Sequence, residues 1–395
     1  MSFPPTLEIP RQVLEIARRL EQAGHQAWCV GGAVRDALLG HSHTDYDLAT
    51  SATPDQVRAL FRRTVPVGEK YGTIGVLDAD RVLHEVTTFR RDVATDGRHA
   101  EVAYGVSLED DLARRDFTIN AIAYQPLTHE WRDPFGGDPD LRQGVVRAVG
   151  DPARRFREDY LRVLRAIRFA ARFGFAIDPA TWNAARAAAA SLDRLSPERV
   201  REEWFKGLCT ARSVSNLVTL WHGVGAAGAW LPELRVPPPT ETNRVDAAEG
   251  QRDPVLLTVL LCRDAAAVLR RLRASNADID HAAALTAGPG QPSGSSEPSV
   301  RRWLSAVGSA ADDLITLWGL RHGGEPAWAA TVRAIRRRGD PLTRGDLAVT
   351  GHDLTALGVT GRRVGEVLAM LLDRVLEQPG LNTRDTLLAL AKERS

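Results

Sequence analysis

Apolar side chains recur at Val13, Ile16, Ala17 and Leu20 within residues 12–23, the three-and-four spacing of an amphipathic helix with one buried stripe. Residues 27–31 then read as a buried strand, 33–39 as a short helix and 45–49 as a second strand. Ser51-Ala52-Thr53-Pro54 opens another helix, with Thr53 placed to cap it and Pro54 at its first position. Residues 72–77 and 81–89 predict paired strands around a turn near Asp78-Ala79-Asp80. Residues 91–103 show no period and carry Asp96-Gly97-Arg98-His99, which predicts a mobile loop. The stretch 108–113 leads into a predicted helix over 118–122.

After Gly150 the pattern changes, and residues 152 to about 230 read as helical, with alanine-rich runs such as 184–190. Two breaks follow: Val236-Pro237-Pro238-Pro239-Thr240, a stiff linker or turn, and 287–299, a flexible loop rich in Gly, Pro and Ser. The segments between and beyond them are again helical. The expected fold class is α+β: a small mixed-sheet head, then an all-helical neck, body and tail. The expected domains are a head over 1–150, a neck over 151–235, and a body and tail over 236–395. At 395 residues the chain exceeds what one core usually covers.

Composition changes little in this picture: 44% apolar and 26% charged residues describe a soluble globular chain. The formal net charge is only +1, which by itself argues against a nucleic-acid partner. Locally the balance differs, because residues 151–172 hold seven Arg against three acids. Of the 51 basic residues, only Lys70, Lys206 and Lys392 are lysines; arginine's planar fork suits bidentate phosphate contact. Cys29, Cys209 and Cys262 are far apart and lack the spacing of a disulfide framework or zinc site. No signal peptide and no run long enough to cross a bilayer stands out, so a cytoplasmic location is expected, with no membrane partner.

The candidate chemistry begins at Gly31-Gly32-Ala33-Val34-Arg35-Asp36, followed by Asp45-Tyr46-Asp47. Carboxylates two apart on a strand point to one face, which gathers four oxygens around a small volume. Mg²⁺, a hard cation, takes such ligands together with substrate phosphates. The glycines before it let backbone amides approach a phosphate. Taken alone, an Asp-x-Asp pair is most often a solvated turn; its order and spacing relative to the motifs downstream raise its weight. Arg114-Arg115-Asp116-Phe117-Thr118 offers paired cations for a triphosphate, or simply an N-capped helix with exposed charge. On a helix over 157–168, Asp159, Arg162, Arg165 and Arg168 form one slowly winding band, able to read a base edge and hold phosphates. The plainer reading is a salt-bridged solvated helix, with Glu158 and Arg162 a good pair four apart.

These motifs together resemble the class II tRNA nucleotidyltransferases, the CCA-adding enzymes and their bacterial poly(A) polymerase relatives. The likeness is dense over residues 27–234 and continues through Leu269-Arg270-Arg271-Leu272-Arg273-Ala274-Ser275-Asn276 and Gly351-His352-Asp353-Leu354. It implies template-independent, Mg²⁺-dependent addition of CCA to a tRNA 3′ end from CTP and ATP, by a polymerase-β-like head, in a monomer or weak dimer. By position, it implies that Gly32, Arg35 and Arg115 contact the phosphates and that Asp45 and Asp47 hold the metal. Asp159 and Arg162 would read the base, with Arg165 and Arg168 behind them. Asp133-Pro134-Phe135-Gly136-Gly137 resembles the hinge between head and neck, and Glu85 stands where the wider superfamily often has a third carboxylate. About sixteen residues separate Thr87-Thr88-Phe89-Arg90 from Ser107, and Ala94 and Ala100 stand where the family usually has tyrosine and proline. CC-adding, A-adding and poly(A)-synthesising members therefore stay open beside full CCA addition. An inactive RNA-binding protein on the same fold is the non-enzyme alternative.

Overall fold

A computed structural model describes residues 3–41, 46–68, 71–95, 100–235, 239–248, 250 and 252–393. The chain forms two compact units, Met1–Val236 and Pro237–Ser395.

The first unit begins with α1 (Arg11–Gln22), whose buried residues are Val13, Ile16, Ala17 and Leu20, the stripe read from the pattern. Then come β1 (Ala27–Val30), α2 (Gly32–Leu38), β2 (Asp47–Thr50), α3 (Pro54–Leu60), β3 (Thr64–Gly68), β4 (Thr73–Leu77) and β5 (Leu83–Thr88). Thr53 caps α3 in a reciprocal box with Gln56, and Pro54 fills the first turn. With β8 (Ala123–Tyr124) and β9 (Trp131–Arg132) these strands make one sheet, in the order β3-β4-β5-β2-β1-β8-β9. The pairing is antiparallel except between β2 and β5. One core of the head gathers Trp28, Val30, Ala49, Phe89, Leu108 and Leu112.

The fold corrects three sequence expectations. The predicted loop over 91–103 is instead an antiparallel ribbon of β6 (Arg90–Thr95) and β7 (Ala100–Tyr104), joined at residues outside those described. The ladder is made by backbone groups, so the absence of side-chain alternation did not preclude it. Residues 108–113, read as leading into a helix, are themselves α4 (Leu108–Ala113), capped by a Ser107–Asp110 box. The predicted helix over 118–122 is a single 3₁₀ turn, Thr118–Asn120.

Next come α5 (Gly137–Gln143), the short β10 (Val145–Val146), α6 (Pro152–Glu158), α7 (Leu161–Phe173), β11 (Ala176–Ile177), α8 (Pro179–Ala187) and α9 (Pro197–Thr210). The Asp133 carboxylate accepts from the amides of Gly137 (2.7 Å) and Asp138 (2.9 Å), anchoring the start of α5. Helix α7 packs against α9 and against α10 (Val214–Val224), where Trp204 and Trp221 meet edge to face at 5.2 Å. A Cβ on Gly137 would fall 2.3 Å from the Thr118 carbonyl oxygen and 2.7 Å from Ile122. Gly137→Ala is therefore expected to cost about 2 kcal/mol of stability, read as a lower urea midpoint. An unchanged midpoint would show that the approach is not tight.

The second unit is helical. Buried Arg301 donates to the carbonyls of Leu376 (2.7 Å) and Glu377 (3.0 Å), closing the end of helix Arg362–Glu377, while Glu297 and Asp340 balance its charge. Trp303 Nε1 donates to the Pro289 carbonyl and ties down the segment before helix Glu297–Val307. Among the described residues no helix is long and apolar enough to cross a membrane. Among the described residues Cys29, Cys209 and Cys262 form no disulfide.

Candidate active site

Strand β1 ends at Val30, and Gly31 turns the chain with φ 78° and ψ −137°, a conformation that other residues adopt only with strain. A Cβ there would lie 3.1 Å from Arg115 Nη1 and 3.9 Å from Asp47 Oδ2. The missing side chain thus leaves a small cradle walled by a cation and a carboxylate. Gly32 starts α2, and Arg35 Nη2 comes within 3.5 Å of the position its Cβ would take.

Arg35 is held from every side. Only 3% exposed, it pairs with Asp36 Oδ1 (2.7 Å), donates to Asn120 Oδ1 (2.5 Å) and lies over the rings of Phe169 and Phe173, 4.9 Å from each. Asp36 in turn pairs with Arg172 of α7 at 2.9 Å. Burial pushes the Asp36 carboxyl up, but Arg35 and Arg172 more than reverse this and hold it below the usual range. Arg35 therefore places positive charge beneath the turn in a fixed position.

Asp47 is the exposed first residue of β2 and pairs in register with Val30. Leu48 neighbours Val86 across the parallel β2–β5 pair, so Asp47 and Glu85 occupy adjacent positions on one face, both exposed. Asp45 lies outside the described residues, and so does the predicted Asp45–Asp47 pairing. Among the described residues no three His, Cys, Asp or Glu side chains are grouped to hold a metal. What is present suits a hard cation with a triphosphate: carboxylate oxygens, an open cradle, and a nearby cation with donors to spare. That cation is Arg115. Its Nη2 contacts Asp111 at 3.3 Å and its Nη1 the Asn120 carbonyl at 3.4 Å, both long, while its buried Nε has no partner among the described residues.

Arg115 also belongs to a second feature. With Asp116, Asp159, Arg162, Arg165 and Arg199 it lines a cleft of about 280 Å³. The continuous helical band expected over 157–168 is corrected, because α6 ends at Glu158 and α7 begins at Leu161. Asp159 sits in the break in an extended conformation (φ −156°, ψ 107°), and its Oδ1 accepts from Leu161 N at 3.0 Å. Such a side chain-to-backbone bond competes with helix continuation, and spacing alone did not show which would win. Arg162 is gripped by Glu158 (2.9 Å) and donates to the carbonyls of Arg155 and Arg114. Arg168 turns away from the cleft to Glu203 (2.6 Å) and is nearly buried.

Arg165 reaches back to the head, where it pairs with Asp116 Oδ2 at 2.7 Å. Asp116 Oδ1 accepts from the Asn120 amide (2.9 Å) and from Phe117 N (2.8 Å). Burial pushes this carboxyl up; Arg165, the Asn120 amide and Arg162 outweigh it and leave its pKa at about 2. Asp116 reads from sequence only as part of the Arg114–Thr118 motif, with no role of its own in the site, and Asn120 and Arg199 have none. The four-residue spacing of Asp116 and Asn120 was a usable signal for the first two, whereas nothing local marks Arg199. A larger groove of about 670 Å³, bounded by α1, the end of α3 and the β4–β5 turn, contains none of the predicted site residues.

The family model described as "Poly A polymerase head domain" matches residues 27–147, and "Probable RNA and SrmB- binding site of polymerase A" matches 174–235. The CCA-adding enzyme of Lactiplantibacillus plantarum is 34% identical over 410 residues, covering 99% of this chain and 97% of its own. That of Anoxybacillus flavithermus is 43% identical over 226 residues, and there the matched segment spans only about half of the relative's length, 56%. The crystal structure of the Bacillus stearothermophilus CCA-adding enzyme in complex with CTP superposes with a TM-score of 0.81 at 32% identity, covering 100% of this chain and 98% of that one. A mixed-sheet head with an acidic residue beside a glycine turn, backed by a helical neck, places the chain in the nucleotidyltransferase class. Within it, the chain belongs to the CCA-adding enzyme family.

Proposed function

We propose that this protein adds C, C and A to the 3′ end of tRNA in the cytoplasm, taking CTP and ATP, using no nucleic-acid template and releasing pyrophosphate. The observation that carries this reading is the place of Arg115, which borders both the Gly31–Asp47 cradle and the cleft of Asp159, Arg162 and Arg165. A triphosphate in the cradle and its base in the cleft are then parts of one molecule.

In this reading Gly32 and Arg115 meet the phosphates, and Arg35 adds a fixed charge beneath them. Asp159 accepts a hydrogen bond from the exocyclic amino group that C and A share, and Arg162 donates to the neighbouring ring nitrogen. U and G present a carbonyl oxygen at that place, which sets acceptor against acceptor. Arg165 and Arg168 stand behind, each tied to a carboxylate. Asp45 and Asp47, with Glu85 adjacent, would hold Mg²⁺, which when bound neutralises the triphosphate and acidifies the primer hydroxyl. The head spans 1–150, the neck 151–235, and the helical body binds tRNA by shape and backbone charge. The Asp133–Gly137 segment would serve as the hinge of the head.

The test supplies tRNA lacking its last three, two or one nucleotides with CTP, ATP or both. Completion of all three substrates is the expected result. Arrest after CC, or extension of only the tRNA that lacks A, assigns the narrower subclasses, and a long A tail assigns poly(A) synthesis. No extension of any primer leaves an RNA-binding protein and ends the proposal. In the same assay, Asp159→Ala should lower the preference for CTP over UTP by about 5- to 100-fold with tRNA affinity nearly intact. Unchanged preference would sink the base-reading role.

A further inference from the structure

Helix α9 carries Arg199 and Glu203 four residues apart, hence on one face, and that face meets the base-reading segment. Glu203 holds Arg168 at 2.6 Å, with Arg165 4.0 Å from its other oxygen. Arg199 Nη2 donates to Asp159 Oδ2 at 2.7 Å. Asp159 lies in neither helix, and within its own segment Leu161 N engages only Oδ1. A carboxylate anchored through one oxygen retains a broad range of rotation about its terminal torsion. The second oxygen is held from a different helix, by a residue 40 positions away.

We propose that Arg199 is a positioning residue for nucleotide selection: it fixes the plane of the Asp159 carboxylate against the incoming base. This rests on the reading of the chain as a transferase that uses CTP and ATP. Choosing an amino group over a carbonyl by one carboxylate depends on hydrogen-bond direction, which decays steeply with misalignment. A carboxylate oxygen has two acceptor sites, so Oδ2 still accepts from a base while Arg199 holds it. Both side chains line the cleft and are about a third exposed, 27% for Asp159 and 32% for Arg199, which leaves the pair within reach of a ligand.

A plain staple between α9 and the break between α6 and α7 would give the same contact. The packing of α9 has other supports, however: the Arg168–Glu203 pair and Trp204 buried against Trp221. Removal of Arg199 should therefore spare the fold.

The experiment compares full-length Arg199→Gln and Arg199→Lys with the unmodified chain, using tRNA lacking CCA and each of CTP, ATP, UTP and GTP separately. In Arg199→Gln the ratio of kcat/KM for CTP over UTP should fall about tenfold, with melting temperature and tRNA affinity unchanged. Arg199→Lys should recover part of that ratio, since an ammonium supplies the charge without the planar fork. In an Asp159→Ala background, Arg199→Gln should change the ratio no further, because the two act through one interaction. An unchanged ratio, an equal fall for all four nucleotides, or additivity with Asp159→Ala would overturn the proposal. An unmodified chain that incorporates nothing would instead remove the functional reading, and this proposal with it.

Discussion

Asp47→Ala should reduce nucleotide incorporation by at least about a thousandfold while tRNA affinity changes by less than about twofold. The asymmetry follows from where the side chain stands. Asp47 is exposed at the first position of β2, and Leu48, Ala49 and Thr50 after it carry the buried side of the strand. The carboxylate is on an exposed residue, so deleting it should leave Val30 and Val86 with their backbone partners in register. On the proposed function it strips an oxygen ligand for the metal from the cradle beside Gly31, where the charge of a bound triphosphate would have to be neutralised. Asp47→Asn keeps the volume and loses the charge, so it should be nearly as inactive. Single-turnover incorporation and filter binding on the same preparations make the comparison. Loss of tRNA binding in parallel with activity would count against the metal-holding role.

The second large effect concerns stability. Asp116→Ala is expected to destabilise the protein by about 3 kcal/mol at pH 7, because it leaves the Arg165 guanidinium and the Asn120 amide without their shared acceptor. The pH dependence separates this cause from simple loss of packing. The folded-state pKa of Asp116, about 2, is depressed below the unfolded value near 3.8. A depressed carboxylate stabilises the fold fully above its unfolded pKa, and that contribution is lost as pH falls toward the folded one. A shift of this size corresponds to about 2–3 kcal/mol. The stability gap between the unmodified chain and Asp116→Ala should therefore be constant from pH 7 to pH 5 and narrow between pH 4 and pH 2. Urea unfolding at several pH values measures it. A gap that does not move with pH would place the loss in packing rather than in the ion pair.

Several parts of the site are short strings whose meaning is local. A glycine pair after an apolar strand forces a turn, and the positive φ at Gly31 is what that string demands. Thr53-Pro54 starts a helix because a capping hydroxyl and a residue with no amide both suit a first turn. Failures came where two local rules competed, or where the deciding partner was distant. Residues 157–168 satisfy helical spacing, yet Asp159 bonds to Leu161 N and splits the helix. The ribbon over 90–104 forms through main-chain pairing that leaves no mark in side-chain alternation. Arg35 and Arg168 read as equivalent to Arg115 and Arg165 from sequence, and burial separates them.

The order of motifs along the chain was enough to determine the class of protein, the turn, the strand that bears Asp47 and the helix that bears Arg162 and Arg165, since each depends on interactions within a few residues. Which charges meet was decided only by tertiary structure. Arg165 finds Asp116 across 49 residues, Asp159 finds Arg199 across 40, and Arg172 finds Asp36 across 136. In a chain with 51 basic and 50 acidic residues, pattern offers many possible partners for each ion. Only packing, which brings helix α7 against the head and α9 against α7, picks one of them and sets the low dielectric in which that pairing counts.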